Sequence, residues 1–159
     1  ARKAIHFLKY QRAKKLAEPL AELIFQRIFS PTSFHSHCQC SILTLIIPIP
    51  LSQKRLKQRG FNQAELIAKH LAEKMSVKMS VNILEKIKHT ESQVEARTRQ
   101  KRLQNLKGTF MVSRPKELKD KIVILIDDVA TTGATIFEAS RVLQKAGAKK
   151  IIPAVVAKR

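Results

Sequence analysis

The spacing of apolar residues changes several times along the chain. Between Ala4 and Phe29, Leu16, Leu20, Leu23, Ile24 and Ile28 recur at helical spacing, and Pro19 either opens a helix there or kinks one. A polar, turn-rich run, SPTSFHSHCQCS, follows. ILTLIIPIP reads as a short buried strand ending at Pro48 and Pro50, because proline cannot donate to a central ladder. The next run, LSQKRLKQRG, predicts a loop. FNQAELIAKHLAEKM predicts a helix with Ala64, Ile67, Ala68, Leu71 and Met75 on one face, and Asn62 with Glu65 resembles a capping box. VNILEKI predicts a second strand. From Thr90 to Lys107 no apolar period stands out, which predicts a long loop with room for a short helix, then a strand near Thr109 to Val112.

The C-terminal pattern is the most regular. An apolar strand, Lys121 to Ile126, runs into Asp127 and Asp128 and a loop of small residues. A helix from about Thr135 to Ala146 turns Ile136, Ala139, Val142 and Leu143 inward, Gly147 ends it, and KIIPAVVA forms another strand. Strand, helix, strand at this spacing implies parallel pairing with a right-handed crossover. The fold class is therefore α/β, an open, mostly parallel sheet flanked by helices. We read residues 1–159 as a single domain with an N-terminal helical region over residues 1–30.

Charge changes the picture. Thirty-one Lys and Arg stand against twelve Asp and Glu, a formal net charge of +19, so polyanions are the first partners to consider. No apolar run approaches the roughly 18–20 residues that span a bilayer, and the chain opens without a signal-like apolar segment, so we expect a soluble, cytoplasmic protein. It does not begin with Met, which fits a processed or shortened N-terminus. Cys38 and Cys40 are too close for ordinary disulfide geometry. HSHCQC, His35 to Cys40, has metal-ligating residue types, but four ligands so close together rarely close one tetrahedron, so a surface loop is the default and zinc is not expected.

In such sheets, ligands bind beyond the carboxyl ends of the strands, where Asp127 and Asp128 fall. The stretch after them, Val129, Ala130, Thr131, Thr132, Gly133, Ala134 and Thr135, opens a helix. Its backbone N–H groups, the helix dipole and three threonine hydroxyls make a phosphate cradle, with Gly133 permitting close approach. Carboxylates beside such a cradle would repel phosphate unless they hold ribose hydroxyls or metal-bound water. A receiver domain would need far more chain than the roughly 30 residues that remain. An Asp-x-Asp phosphatase is excluded because residue 129 is valine. Neither the P-loop nor the dinucleotide-binding glycine pattern occurs.

VILIDDVATTGAT resembles the phosphoribosyltransferase signature, a hydrophobic strand, Asp-Asp, two small residues, Thr-Thr-Gly, a small residue and Thr. PIPLSQKRLKQRGFNQAELIAKHLA and HTESQVEARTRQKRLQNLKGTF resemble the ComF (ComFC) competence family, whose members carry an R-G-F-N-Q segment and a T-x-x-Q, R-x-x-N, G-x-F segment before that signature. The likeness runs from about Phe7 onward. Family members usually begin with a cysteine zinc-binding module, which is not visible in this chain.

The resemblance implies a type I phosphoribosyltransferase fold that binds phosphoribosyl pyrophosphate with Mg²⁺. Asp127 and Asp128 would contact the ribose 2- and 3-hydroxyls and take the catalytic positions, residues 129–135 would hold the 5-phosphate, and Mg²⁺ would be carried by the ligand. Lys54 and Arg55 would serve the pyrophosphate loop. Lys57, Arg59, Arg97, Arg99, Lys101, Arg102 and Lys107 are candidates for a mobile loop or for single-stranded DNA, with a solvated basic surface as the alternative. Phe61 and Phe110 adjoin these stretches and suit either base stacking or the core. The family implies handling of transforming DNA, with partners such as a competence helicase and peripheral recruitment to the inner face of the cell membrane left open. An active phosphoribosyltransferase acting on an unidentified acceptor is the alternative, weakened by the scarcity of aromatic residues to build a base-gripping hood.

Overall fold

The computed structural model describes residues 11–28, 42–88, 106–130 and 132–158. A 3-10 turn, Gln11–Leu16, leads into helix α1, Ala17–Ile28. Pro19 sits in the first turn of α1, where its missing N–H has no intrahelical partner to lose, so it opens the helix rather than kinking it. Leu23, expected inward, faces solvent.

Strand β1 (Thr44–Pro48) is followed by helix α2 (Gln53–Arg59), helix α3 (Gln63–Met75) and a two-residue strand β2 (Lys78–Met79). Next come β3 (Leu84–Lys86) and β4 (Phe110–Val112), then β5 (Ile122–Ala130), helix α4 (Ala134–Lys145) and β6 (Lys150–Lys158). The main sheet has the order β2-β1-β5-β6 with every pair parallel, and β3 and β4 form a separate antiparallel pair. Pro153 falls inside β6, at the sheet edge, the place where a strand tolerates proline.

Strand alternation divides the core. Ile46, Ile124, Ile126, Ile152 and Ala154 face α1 and α3. Leu45, Ile47, Val123 and Leu125 face α4 and the β3–β4 hairpin, which contributes Leu84 and Phe110. The sheet is thus covered on both faces, as parallel sheets require.

The pattern reading missed the short strand β2 and two further features. The expected loop after β1 is helix α2, built from good helix formers between Ser52, extended at φ −65°, ψ 149°, and Gly60, left-handed at φ 75° with its N–H on the Leu56 carbonyl. Strand β5 also runs on to Ala130, beyond the expected end at Ile126, because β6 continues to pair with it through Ala130 and Lys158. Among the described residues no helix is long and apolar enough to cross a membrane.

Candidate functional site

The geometry around the acid pair follows from where β1 stops. The β1–β5 register ends at Pro48 opposite Ile126, and the Ile49 N–H makes a further bond to the Ile126 carbonyl at 2.8 Å. The β1 chain then turns away, held by the Asn62 side-chain amide donating to the Ile49 carbonyl at 3.0 Å. Asp127 and Asp128 therefore lie beyond the carboxyl end of β1 while still paired to β6 through Asp127 and Val155. On the side that β1 leaves, side chains replace the ladder. The Asp128 N–H donates to Asp127 Oδ1 and the Val129 N–H to Asp128 Oδ1, each at 2.8 Å.

Successive strand residues point to opposite faces. Asp127 follows Leu125 toward the hairpin side and has Lys86 of β3 as an electrostatic neighbour; Asp128 follows Ile126 and has Arg59 of α2. Burial pushes the Asp127 carboxyl well above its ordinary range, and the adjacent Asp128 charge adds to this, while Lys86 pulls the other way. Burial lowers the Lys86 ammonium, as does Arg55, against the attraction of Asp127. Arg59 is likewise lowered by burial and held up by Asp128. Two carboxylates and three cations thus share one end of the sheet, an arrangement suited to a ligand carrying both hydroxyls and phosphates.

Helix α2 sorts the basic residues expected near it. Arg55 and Arg59, four residues apart, are half-buried, Arg59 with Asp128 as an electrostatic neighbour and Arg55 close to Arg59 and Lys86, whereas Lys54 and Lys57 are exposed. The Arg59 guanidinium also donates to the Gln63 side chain at 3.1 Å. The Ser52 hydroxyl is buried beside this helix without a hydrogen-bond partner.

The cradle after β5 is shorter than the sequence suggested. Val129 and Ala130 are strand residues paired with Ala157 and Lys158. Thr131 lies outside the described residues. Gly133 caps α4 in the left-handed region at φ 74° with no side-chain cap, and a Cβ built there meets nothing within 4 Å. The Phe137 N–H bonds the Gly133 carbonyl at 2.8 Å, so the amides of Ala134 and Thr135 precede the helical ladder. Thr132 and Thr135 are half-buried beside them.

Lys107 is exposed just before β4, and Arg97, Arg99, Lys101, Arg102 and the His35–Cys40 run lie outside the described residues. Phe61 and Phe110 are core residues, 8% and 4% exposed, with Lys14 and Lys86 over their rings at 5.1 and 5.8 Å. Lys86 was missed by sequence reasoning. Its signal was weak, a lysine in a short strand, and only the pairing of β3 with β4 makes it part of the site. A groove of about 490 Å³ lies elsewhere, between α1 and α3, and its lining includes Glu18, Glu22 and Glu73, which disfavours an anion there.

Comparison with known proteins bears on this arrangement. The phosphoribosyl transferase domain family matches residues 58–159, which hold Arg59, Lys86, both aspartates and the cradle. The chain belongs to the phosphoribosyl transferase family. Similar proteins include two competence proteins and a DNA utilization protein. The chain is 34% identical over 148 residues to competence protein F of Haemophilus influenzae, covering 92% of this chain and 63% of that protein. It is 28% identical over 149 residues to the DNA utilization protein YhgH of Escherichia coli K12, covering 92% and 62% respectively. To competence protein ComFC of Bacillus subtilis it is 33% identical over 104 residues, 65% of this chain and 39% of that protein. These matches place this chain with the ComF group. It spans somewhat under two thirds of the first two relatives' length.

Proposed function

We propose that the chain is a ComF-like competence protein that binds phosphoribosyl pyrophosphate with Mg²⁺ and binds single-stranded DNA, supporting the uptake or handling of transforming DNA. The observation that carries the ligand site is the convergence of Asp127 and Asp128 with Arg55, Arg59 and Lys86 beyond the end of β1. The DNA-handling role rests on the similarity to competence protein F and to the DNA utilization protein, together with the +19 charge.

In this reading Asp127 and Asp128 hold the ribose hydroxyls, Thr132 to Thr135 the 5-phosphate, and Arg55, Arg59 and Lys86 the pyrophosphate. The carboxylates are hard oxygen donors suited to Mg²⁺ or to its bound water. Among the described residues no group of three or more His, Cys, Asp or Glu is placed to hold a metal, so pyrophosphate, ribose and water would complete the cation's shell. Mg²⁺ supplies charge neutralisation of the pyrophosphate when bound. The same cations would favour a leaving pyrophosphate, which supports a second reading, transfer of the phosphoribosyl group to an acceptor. Exposed Lys54, Lys57 and Lys107 contribute to DNA affinity through phosphate contacts. Work at the inner face of the membrane with a competence helicase is part of the proposal.

Calorimetric titration of phosphoribosyl pyrophosphate with Mg²⁺ tests the site. Binding to the wild type, weakened by at least about 10-fold in the Asp127→Asn, Asp128→Asn double variant, is the expected result, since losing even one hydrogen bond to a charged group costs about 1.5–3 kcal/mol. No heat from a folded wild type would overturn it. Pyrophosphate release on adding candidate acceptors would then favour the enzymatic reading.

A further inference from the structure

The outward face of α4 carries a feature that the ligand site does not use. Phe137 is 61% exposed, and it is the one exposed aromatic side chain among the described residues. It stands one turn into the helix, with its N–H on the Gly133 carbonyl, so the ring lies close to the cradle. Arg141, four residues on, shares that exposed face. Its guanidinium is fixed by a two-point bond to Glu138, Nε to Oε2 and Nη2 to Oε1, each at 2.8 Å. The buried Glu138 also accepts the Gly108 N–H at 2.8 Å, which draws the start of β4 against the helix and sets the exposed Lys107 in the same neighbourhood. One carboxylate therefore anchors Arg141 and the backbone next to Lys107, and two cations against one carboxylate leave the cluster net positive.

An aromatic ring held on a helix beside a fixed Arg141, with the exposed Lys107 nearby, suits a base stacked on its face with phosphates to either side. A purely apolar partner would desolvate Lys107 and the exposed Arg141, paired with Glu138, without offering either a polar contact. The +19 chain supplies the long-range attraction for such a strand. We infer that Phe137, flanked by Lys107 and Arg141, is a stacking contact for a base of bound single-stranded nucleic acid. This rests on the DNA-binding reading above and moves the aromatic contact from Phe61 and Phe110, which are buried, to the outside of α4.

The test is an anisotropy titration with a labelled oligothymidylate about 15 nucleotides long and an abasic strand with the same number of phosphates. It compares wild type, Phe137→Ala and Phe137→Trp at two salt concentrations. The wild type should prefer the base-bearing strand by about 5- to 100-fold. Phe137→Ala should lose that preference with unchanged melting temperature and salt slope, and Phe137→Trp should keep it. If Phe137→Ala matches the wild type on both strands, the inference is overturned while DNA binding through phosphates stands. Equal weakening on both strands would also overturn it, assigning Phe137 a role other than stacking. A folded wild type that binds neither strand at low salt would overturn the inference and the DNA-binding reading together.

Discussion

Helices α1 and α3 meet the sheet through an aliphatic layer, Ile24, Ile67, Leu71, Ile124 and Ile152, closed up by Ala17, Ala21, Ala64 and Ala68. Their charged residues stay at the rim, where Lys74 pairs with Glu22 at 2.7 Å with both side chains well exposed. On the other face, α4 and the hairpin also bring apolar residues, but polar groups run through the contact: the buried Glu138 carboxylate on the Gly108 N–H, the buried Thr109, and Lys86 over Phe110. One face holds the sheet up; the other, with α2 at its carboxyl end, carries charge to where β1 leaves off. Separating the two would let the proposed phosphate site change its charges without disturbing most of the core.

The largest effect should come from the first face. Leu71 is fully buried between α3 and the sheet, so Leu71→Ala should cost about 2–5 kcal/mol in denaturant unfolding, through lost transfer energy and the cavity left behind. The folded fraction should bind phosphoribosyl pyrophosphate as the wild type does. A matching loss of ligand affinity would break the separation between the faces.

Glu138→Ala comes next. It strands the Gly108 N–H and the Arg141 guanidinium, and an orphaned buried donor costs about 1–3 kcal/mol, measurable by the same unfolding curves. The Arg141 hydrogen bond holds the Glu138 carboxyl below its ordinary value of 4.5, with the Gly108 N–H assisting against burial. A depressed folded pKa means that this stabilisation is fully present above the unfolded value and is lost as pH falls through the folded one. The variant should therefore show a shallower loss of stability in acid than the wild type.

Much of this contrast is readable in the sequence. Period 3.6 in α3 and α4, and the apolar runs of β1 and β5, place both faces of the core, and DDVATTGAT marks the ligand end. The structure shows what the local pattern could not. Helix α2 has no buried residue, so it leaves no apolar period to find; its signals were Ser52 before it and Gly60 after it. The extension of β5 to Ala130 depends on pairing with β6, a contact between segments distant along the chain. Lys86 and Glu138 enter the argument through the β3–β4 hairpin, whose second strand follows its first by more than twenty residues. Local pattern therefore located the carboxylates and the two arginines of α2, and tertiary pairing added Lys86.

The smallest stability effect expected is also the one that sharpens the comparison most. Asp127 sits where the second face meets the open end of β5, and burial first, then Asp128, pushes its carboxyl well above the ordinary value of 3.8. A raised folded pKa means that the folded protein keeps a proton the unfolded chain gives up. Stability therefore falls as pH rises from the unfolded value to the folded one, and the penalty persists above it. Asparagine carries no charge there and keeps an oxygen to accept the Asp128 N–H, which lies 2.8 Å from Asp127 Oδ1. Asp127→Asn should raise the melting temperature at neutral pH by about 2–4 °C, the displacement that a change of about 1 kcal/mol produces in a chain of this size. The gain should close as pH drops below about 4, where the wild-type carboxyl is protonated in both states. On the proposed function the same substitution should weaken phosphoribosyl pyrophosphate binding, so the residue that burdens the fold would be the one that serves the ligand. If Asp127→Asn instead melted lower at neutral pH, the attraction of Lys86 would outweigh burial and the Asp128 charge, and the acid pair would belong to the scaffold as well as to the site.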